Sequence, residues 1–179
     1  SEKENWDPFP YKPLEINAIF ITHSHIDHIG RLPMLFRAGF KGKIYSTPPT
    51  REAGELLLLD SDHILNQTAE RLKMPNLFTA EDVAGVMSLW SGIDYHLEIN
   101  VWKLKIIFYN AGHILGSSFI SIKNKEGKKI IFSGDLGNNP APLLGDKDFL
   151  PETDYCVIES TYGNRTHEDL SKRKEMLEG

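Results

Sequence analysis

Thr22-His23-Ser24-His25-Ile26-Asp27-His28-Ile29-Gly30 is the stretch on which the reading of this chain turns. The sequence has 7 histidines in 179 residues, and three of them fall here within six positions, with an aspartate among them. Upstream, residues 14–22 (LEINAIFIT) are apolar and β-branched, as expected of a buried strand, and downstream residues 31–40 (RLPMLFRAGF) read as a short helix closed at Gly39. The cluster therefore sits at the C-terminal end of a strand. Successive side chains of an extended segment point to opposite sides, so His23 and His25 face the same way, while Asp27 and His28 lie where the chain turns into the helix. Two ligand pairs can then surround two adjacent points in space. Neutral imidazole suits zinc and other first-row metals, and a carboxylate offsets the charge of a second dication. The pattern is that of a two-metal hydrolytic site; the plain alternative is a polar loop whose histidines are satisfied by hydrogen bonds.

Composition bounds the rest. The chain has the length of one ordinary domain, and 40% hydrophobic with 25% charged residues places it among globular proteins with a real core. No apolar run approaches the roughly 20 residues of a membrane span, and the polar start SEKENWDPFPYKP has no signal-peptide core, so the reading is cytoplasmic with no membrane partner. A lone cysteine, Cys156 within YCVIE, reads as a small core residue, and a four-cysteine zinc cage is excluded. A net charge of -5 argues against a surface that coats nucleic acid, but not against a nuclease, which can grip one phosphate through bound dications.

Along the chain, residues 1–13 hold three prolines and no periodicity, an extended lead-in. Residues 42–46 read as a short strand, and Thr50 as the N-cap of a helix over 51–72 that is buried on two sides, since Leu58 and Leu59 widen its apolar face. A second helix opens at Thr79 and ends near Trp90-Ser91-Gly92. Strands follow at 95–99, 102–109, 118–123 and 129–132, with a charged hairpin around Gly127, and residues 154–159 give one more buried strand. The end, SKRKEMLEG, is charged and favours helix.

Two further turns carry candidate ligands. Ala111-Gly112-His113-Ile114-Leu115-Gly116-Ser117 follows one strand, with glycines on both sides of the histidine, and Ser133-Gly134-Asp135-Leu136-Gly137 follows the apolar run IIF. Each alone is a weak signal, because a lone histidine in a glycine-rich turn is structural about half the time and an aspartate after a glycine is usually a turn former. Together with the cluster they place three ligand-bearing loops at strand C-termini, where layered α/β proteins collect their ligands.

The order HSHIDH, GHILGS, then SGD resembles the metallo-β-lactamase fold superfamily, and Glu159-Ser160-Thr161-Tyr162-Gly163-Asn164-Arg165 resembles its β-CASP branch of RNA-processing nucleases. The resemblance implies an α/β (α+β layered) fold, part of an αββα sandwich with mixed, mainly antiparallel sheets flanked by helices. It implies that His23, His25 and His113 bind one zinc, that Asp27 and His28 bind a second, and that Asp135 bridges them, with Asp27 and Asp135 orienting the attacking water. The cofactors are then two Zn2+, with Mn2+ as the alternative. Glu159 would support a ligand from beside the site, and Tyr162 and Arg165 belong to the branch signature. The family's strands before the histidine cluster, with their aspartate, and its two later histidines have no counterpart here; His167 comes too early, Asp7 lies in no strand, and His63 and His96 read as structural. The chain is accordingly read as part of a longer protein: residues 1–163 a partial metallo-β-lactamase domain, 164–179 the start of a β-CASP domain or a linker. The expected function is two-metal hydrolysis of phosphodiesters in nucleic acid, RNA before DNA, by a protein that is poor or inactive as this segment alone and in which a homodimer is allowed. The alternatives are an ester or thioester hydrolase and a non-catalytic scaffold of a nucleic-acid-processing complex.

Overall fold

A computed structural model describes residues 2–138, 144–161 and 163–164. Strands β1 (Ala18–Phe20), β2 (Lys43–Ser46) and β3 (Trp90–Gly92) form a parallel sheet in that order. Parallel neighbours need crossovers, and helices supply them: α1 (Ile26–Ile29) and α2 (Leu32–Arg37) between β1 and β2, then α3 (Pro48–Leu72) and α4 (Ala80–Leu89) between β2 and β3. The apolar sides of these helices, among them Ile29, Leu35, Leu58 and Val86, bury with Ile21, Ile44 and Trp90 in one core. The second sheet holds β4 (Ile99–Val101), β5 (Leu104–Asn110), β6 (Ser118–Lys123), β7 (Lys129–Phe132) and β8 (Tyr155–Val157) in chain order, antiparallel except for the parallel β7–β8 pair. Its Val101, Ile106, Phe108 and Ile120 pack against Ala18, Phe20 and Tyr45 of the first sheet. The layers thus run helices, sheet, sheet: a mixed α/β fold, as the sequence implies, in which the sheet under the helices is parallel and only the second is mainly antiparallel.

Several elements differ from the sequence reading, each for a tertiary reason. Strand β1 is shorter than expected because residues Pro13–Glu15 form a 3-10 turn. The lead-in is also anchored: Glu2–Trp6 is 3-10, and the Trp6 indole N–H donates to the Pro75 carbonyl at 2.8 Å. Helix α3 is capped by Thr47, not Thr50, since Pro48 and Pro49 take the first two helical positions where a missing N–H costs nothing. It buries one stripe, Thr50, Gly54, Leu58 and Ala69, leaving Leu56 70% exposed and Ile64 55% exposed, so it is not covered on two sides. Trp90 leaves α4 to start β3, drawn by burial and by its indole N–H donating to Ser46 Oγ at 2.9 Å. Residues 95–98 turn rather than extend, with His96 at φ +63 and its ring 2.8 Å from Asp148. Cys156 is exposed, because β8 lies at the edge of its sheet and all three of its residues face solvent.

Candidate metal centre

The sheets bring the three loops together by direction. Strands β5 and β7 both run antiparallel to β6, so the turns that leave them, 111–117 and 133–137, emerge at the same end. The end of the first strand is tied there too: the Thr22 carbonyl accepts the Ser118 N–H at 2.7 Å and the Ser118 hydroxyl at 3.0 Å. Beyond Thr22 the chain runs without a regular element to His25, which caps α1, and that single turn carries Asp27 and His28.

At this junction four side chains converge. His23 Nε2 lies 3.1 Å from His25 Nδ1, and His113 Nε2 lies 3.2 Å from the same atom. Asp135 Oδ2 is 3.6 Å from both His23 Nε2 and His113 Nε2. One donor atom from each of the four lies within 4.8 Å of all the others. Four donors about 2.0–2.1 Å from a tetrahedral ion sit roughly 3.3 Å from one another, so the spacing and the donor chemistry fit a zinc-like cation. The other oxygen of Asp135, Oδ1, is 3.5 Å from His28 Nε2, which is in turn 3.5 Å from Asp27 Oδ2. The two oxygens of Asp135 therefore face different histidine groups. Asp27, with a side chain 75% exposed, opens this second position to solvent.

Electrostatics keep the buried His23 neutral. His23 is fully buried, and desolvation, with the neighbouring rings of His28, His113 and His25, pushes its pKa down to about 3. At neutral pH its lone pair is free to bind a cation without first losing a proton. Burial lowers His113 as well, opposed by the Asp135 carboxylate. The Nδ1 of His23 stands 3.1 Å from Thr22 Oγ1, which orients the ring so that Nε2 faces the cluster.

Glu159 reaches the site from the chain after β8. Its Oε1 accepts the Leu136 N–H at 2.6 Å, and that bond holds its carboxyl below the usual range. His63 lies on α3 beside Gln67 and outside the cluster, as does His96 with Asp148. Tyr162, Arg165 and His167 lie outside the described residues. Sequence reasoning missed the groups that fix the loops. Ser117 Oγ accepts the N–H groups of His113 and Ile114, at 2.9 and 3.1 Å. The Thr47 and Thr50 hydroxyls donate to the Gly116 carbonyl at 2.6 and 2.8 Å, seating that loop on the start of α3. Asn110 accepts the Gly112 N–H at 2.9 Å and donates to the carbonyls of Leu144 and Asp146. The only sequence signal for these is a small polar residue beside each glycine turn.

Residues 5–154 match the sequence profile of the metallo-beta-lactamase superfamily domain. The chain belongs to the metallo-β-lactamase superfamily. Among curated members, a ribonuclease of Thermus thermophilus is 35% identical over 166 residues, covering 93% of this chain and 36% of that protein. Transcription termination factor FttA of Methanosarcina mazei is 33% identical, covering 90% and 26%. Cleavage and polyadenylation specificity factor 73 of Drosophila melanogaster is 33% identical, covering 94% and 25%. This metallo-β-lactamase chain thus spans about a third or less of the length of these relatives. A solved metallo-β-lactamase of Cronobacter sakazakii is 15% identical with a TM-score of 0.49, covering 75% of this chain and 46% of that one. Among the described residues, no helix of this superfamily member is long and apolar enough to cross a membrane.

Proposed function

We propose that this chain carries the metal centre of a nucleic-acid phosphodiester hydrolase, with RNA as the substrate and two zinc ions as the cofactor. The observation that carries the reading is the convergence of His23, His25, His113 and Asp135, from three loops distant in sequence, to donor separations that one cation fits. The names of the relatives support RNA as the polymer.

In this reading His23, His25 and His113 would hold one ion, Asp27 and His28 would hold a second, and Asp135 would serve both. Divalent ions so held supply Lewis acidity toward a phosphoryl oxygen and make hydroxide available near neutral pH. The chain itself supplies position. Burial keeps His23 neutral, Ser117 fixes the backbone that carries His113, and Glu159 fixes the backbone beside Asp135. The carboxylates of Asp27 and Asp135 accept hydrogen bonds from the attacking water and so aim it, with Asp27 reaching it from the solvent side.

The test is metal content and RNA cleavage by the intact protein and its His25→Ala and Asp135→Asn variants. Metal bound by the parent with cleavage of RNA, both lost in the variants, is the expected outcome. Turnover of a thioester but never of RNA or DNA overturns the substrate, and a parent protein that binds no zinc or manganese overturns the enzyme.

A further inference from the structure

The hairpin joining β4 to β5 turns through Trp102 and Lys103, because Val101 pairs with Leu104. Two-residue hairpin turns take glycine or asparagine where the backbone is left-handed. Here that position is Trp102, at φ +52, a conformation that is strained for a bulky side chain. Core packing does not account for it, since the indole is 66% exposed. Neither local conformation nor burial therefore favours tryptophan at this site.

The surroundings are equally costly. Lys103, Lys105, Lys123 and Lys125 line a cleft of about 430 Å³ beside Trp102, with Glu126 as its one carboxylate, on a chain whose net charge is -5. The register sets Lys105 opposite Lys123, and Lys123 opposite Lys129, across the strands, where like charges repel. Lys105 is paired with Glu98 at 2.6 Å and Lys125 with Glu126 at 3.5 Å, whereas Lys103 and Lys123 have no carboxylate partner among the described residues. An exposed aromatic face beside unpaired cations is the arrangement that stacks a base and holds its phosphates. Strain retained at such a position is a mark of function.

We propose that the β4–β5 tip binds single-stranded nucleic acid, with Trp102 stacking on a base and Lys103 and Lys123 holding the adjoining phosphates. The inference rests on the nucleic-acid reading above for its ligand class, and it adds a contact remote from the metal centre. Strand β5 leads from the tip toward His113 over 7 residues, roughly 20 Å of extended chain, so a strand held at both places runs along the sheet.

The experiment is fluorescence anisotropy of a labelled oligouridine of roughly 16 nucleotides with the intact protein in a chelator, so that binding is read without cleavage. Trp102→Gly, which also relieves the left-handed strain, is expected to weaken binding by about tenfold, and Trp102→Tyr to restore most of it. Lys103→Gln with Lys123→Gln is expected to lower the slope of log affinity against log salt by about 1.4. Parental affinity and salt slope in all these variants overturn the proposal, as they would if a protein partner rather than nucleic acid sat on the tip; a parent that binds no oligouridine overturns it too. Cleavage by the metal-loaded protein is measured separately, so a failed tip leaves the hydrolase reading standing, and a failed hydrolase leaves the anisotropy result interpretable.

Discussion

Replacing Gly137 with alanine tests whether the metal centre depends on the contact between two loops. A Cβ at Gly137 would lie 1.7 Å from the Gly112 carbonyl oxygen and 2.1 Å from its carbon. Real Cβ atoms stay at least 3.0 Å from such neighbours, so the loops must part by at least 3.0 less 1.7, or 1.3 Å. Both clashing atoms are backbone, and no rotamer change relieves them. The parting strains the Gly137 N–H bond to the Ala111 carbonyl, now 2.9 Å, and separates Asp135 from His113, now 3.6 Å apart at their donor atoms. Displacement of about 1 Å in a catalytic constellation costs on the order of 100-fold in rate. Overpacking adds roughly 1–3 kcal/mol of instability. The expected result for Gly137→Ala is therefore a loss of about 100-fold in kcat/KM on RNA and of at least about tenfold in metal affinity, read by chelator competition. Gly127→Ala is the control: its φ of +87 is strained, but nothing lies within 4 Å, so it should cost about 1 kcal/mol and leave metal binding intact. Parental metal affinity in Gly137→Ala, or equal loss in both variants, refutes the reasoning.

Three other outcomes follow from the same geometry. Glu159→Ala frees the Leu136 N–H beside Asp135 and should lower metal affinity about 10- to 100-fold with little change in melting temperature, measured by chelator competition and calorimetry. Thr47→Val removes the hydroxyl that donates to the Gly116 carbonyl in a buried site, which should cost about 1–3 kcal/mol in urea denaturation and leave residual metal binding. In metal-free protein the unfolded chain protonates His23 near pH 6.5 while the folded chain resists until about pH 3, so the unfolded state binds the extra proton between these values and stability falls with acidification; denaturation at pH 5 and 7 should differ by roughly 2 kcal/mol from this group, a difference His23→Asn removes.

Legibility in the sequence followed the type of information. The apolar runs gave most strands and both long helices, because alternation and helical spacing are local properties. Elements decided by distant partners were misread. The second helix does end at Trp90, but residues 90–92 also form β3, where Ser46, 44 residues away, takes the Trp90 indole N–H. His96 lies in a stretch with strand composition, yet its left-handed backbone goes with a bond to Asp148, 52 residues on. Leu59 on α3 and Cys156 on β8 are apolar and read as interior residues, whereas the fold leaves them exposed. Residue type reports affinity for a dry surface; it does not report whether one lies opposite.

The candidate site divides along the same line. Histidine and aspartate were conspicuous because the chemistry of cation binding restricts ligands to a few residue types, and three such loops after strands had little other use. The groups that aim them are Thr22, Thr47, Asn110, Ser117 and Ser118, residues common in any turn, each acting through side-chain hydrogen bonds. Thr47 makes the point most clearly. Two prolines fix it as the cap of α3, and that position carries its hydroxyl to a carbonyl 69 residues away, in the loop bearing His113. A motif can name candidate ligands, but the seat of the loop that carries His113 is set by α3 and the second sheet meeting at Gly116.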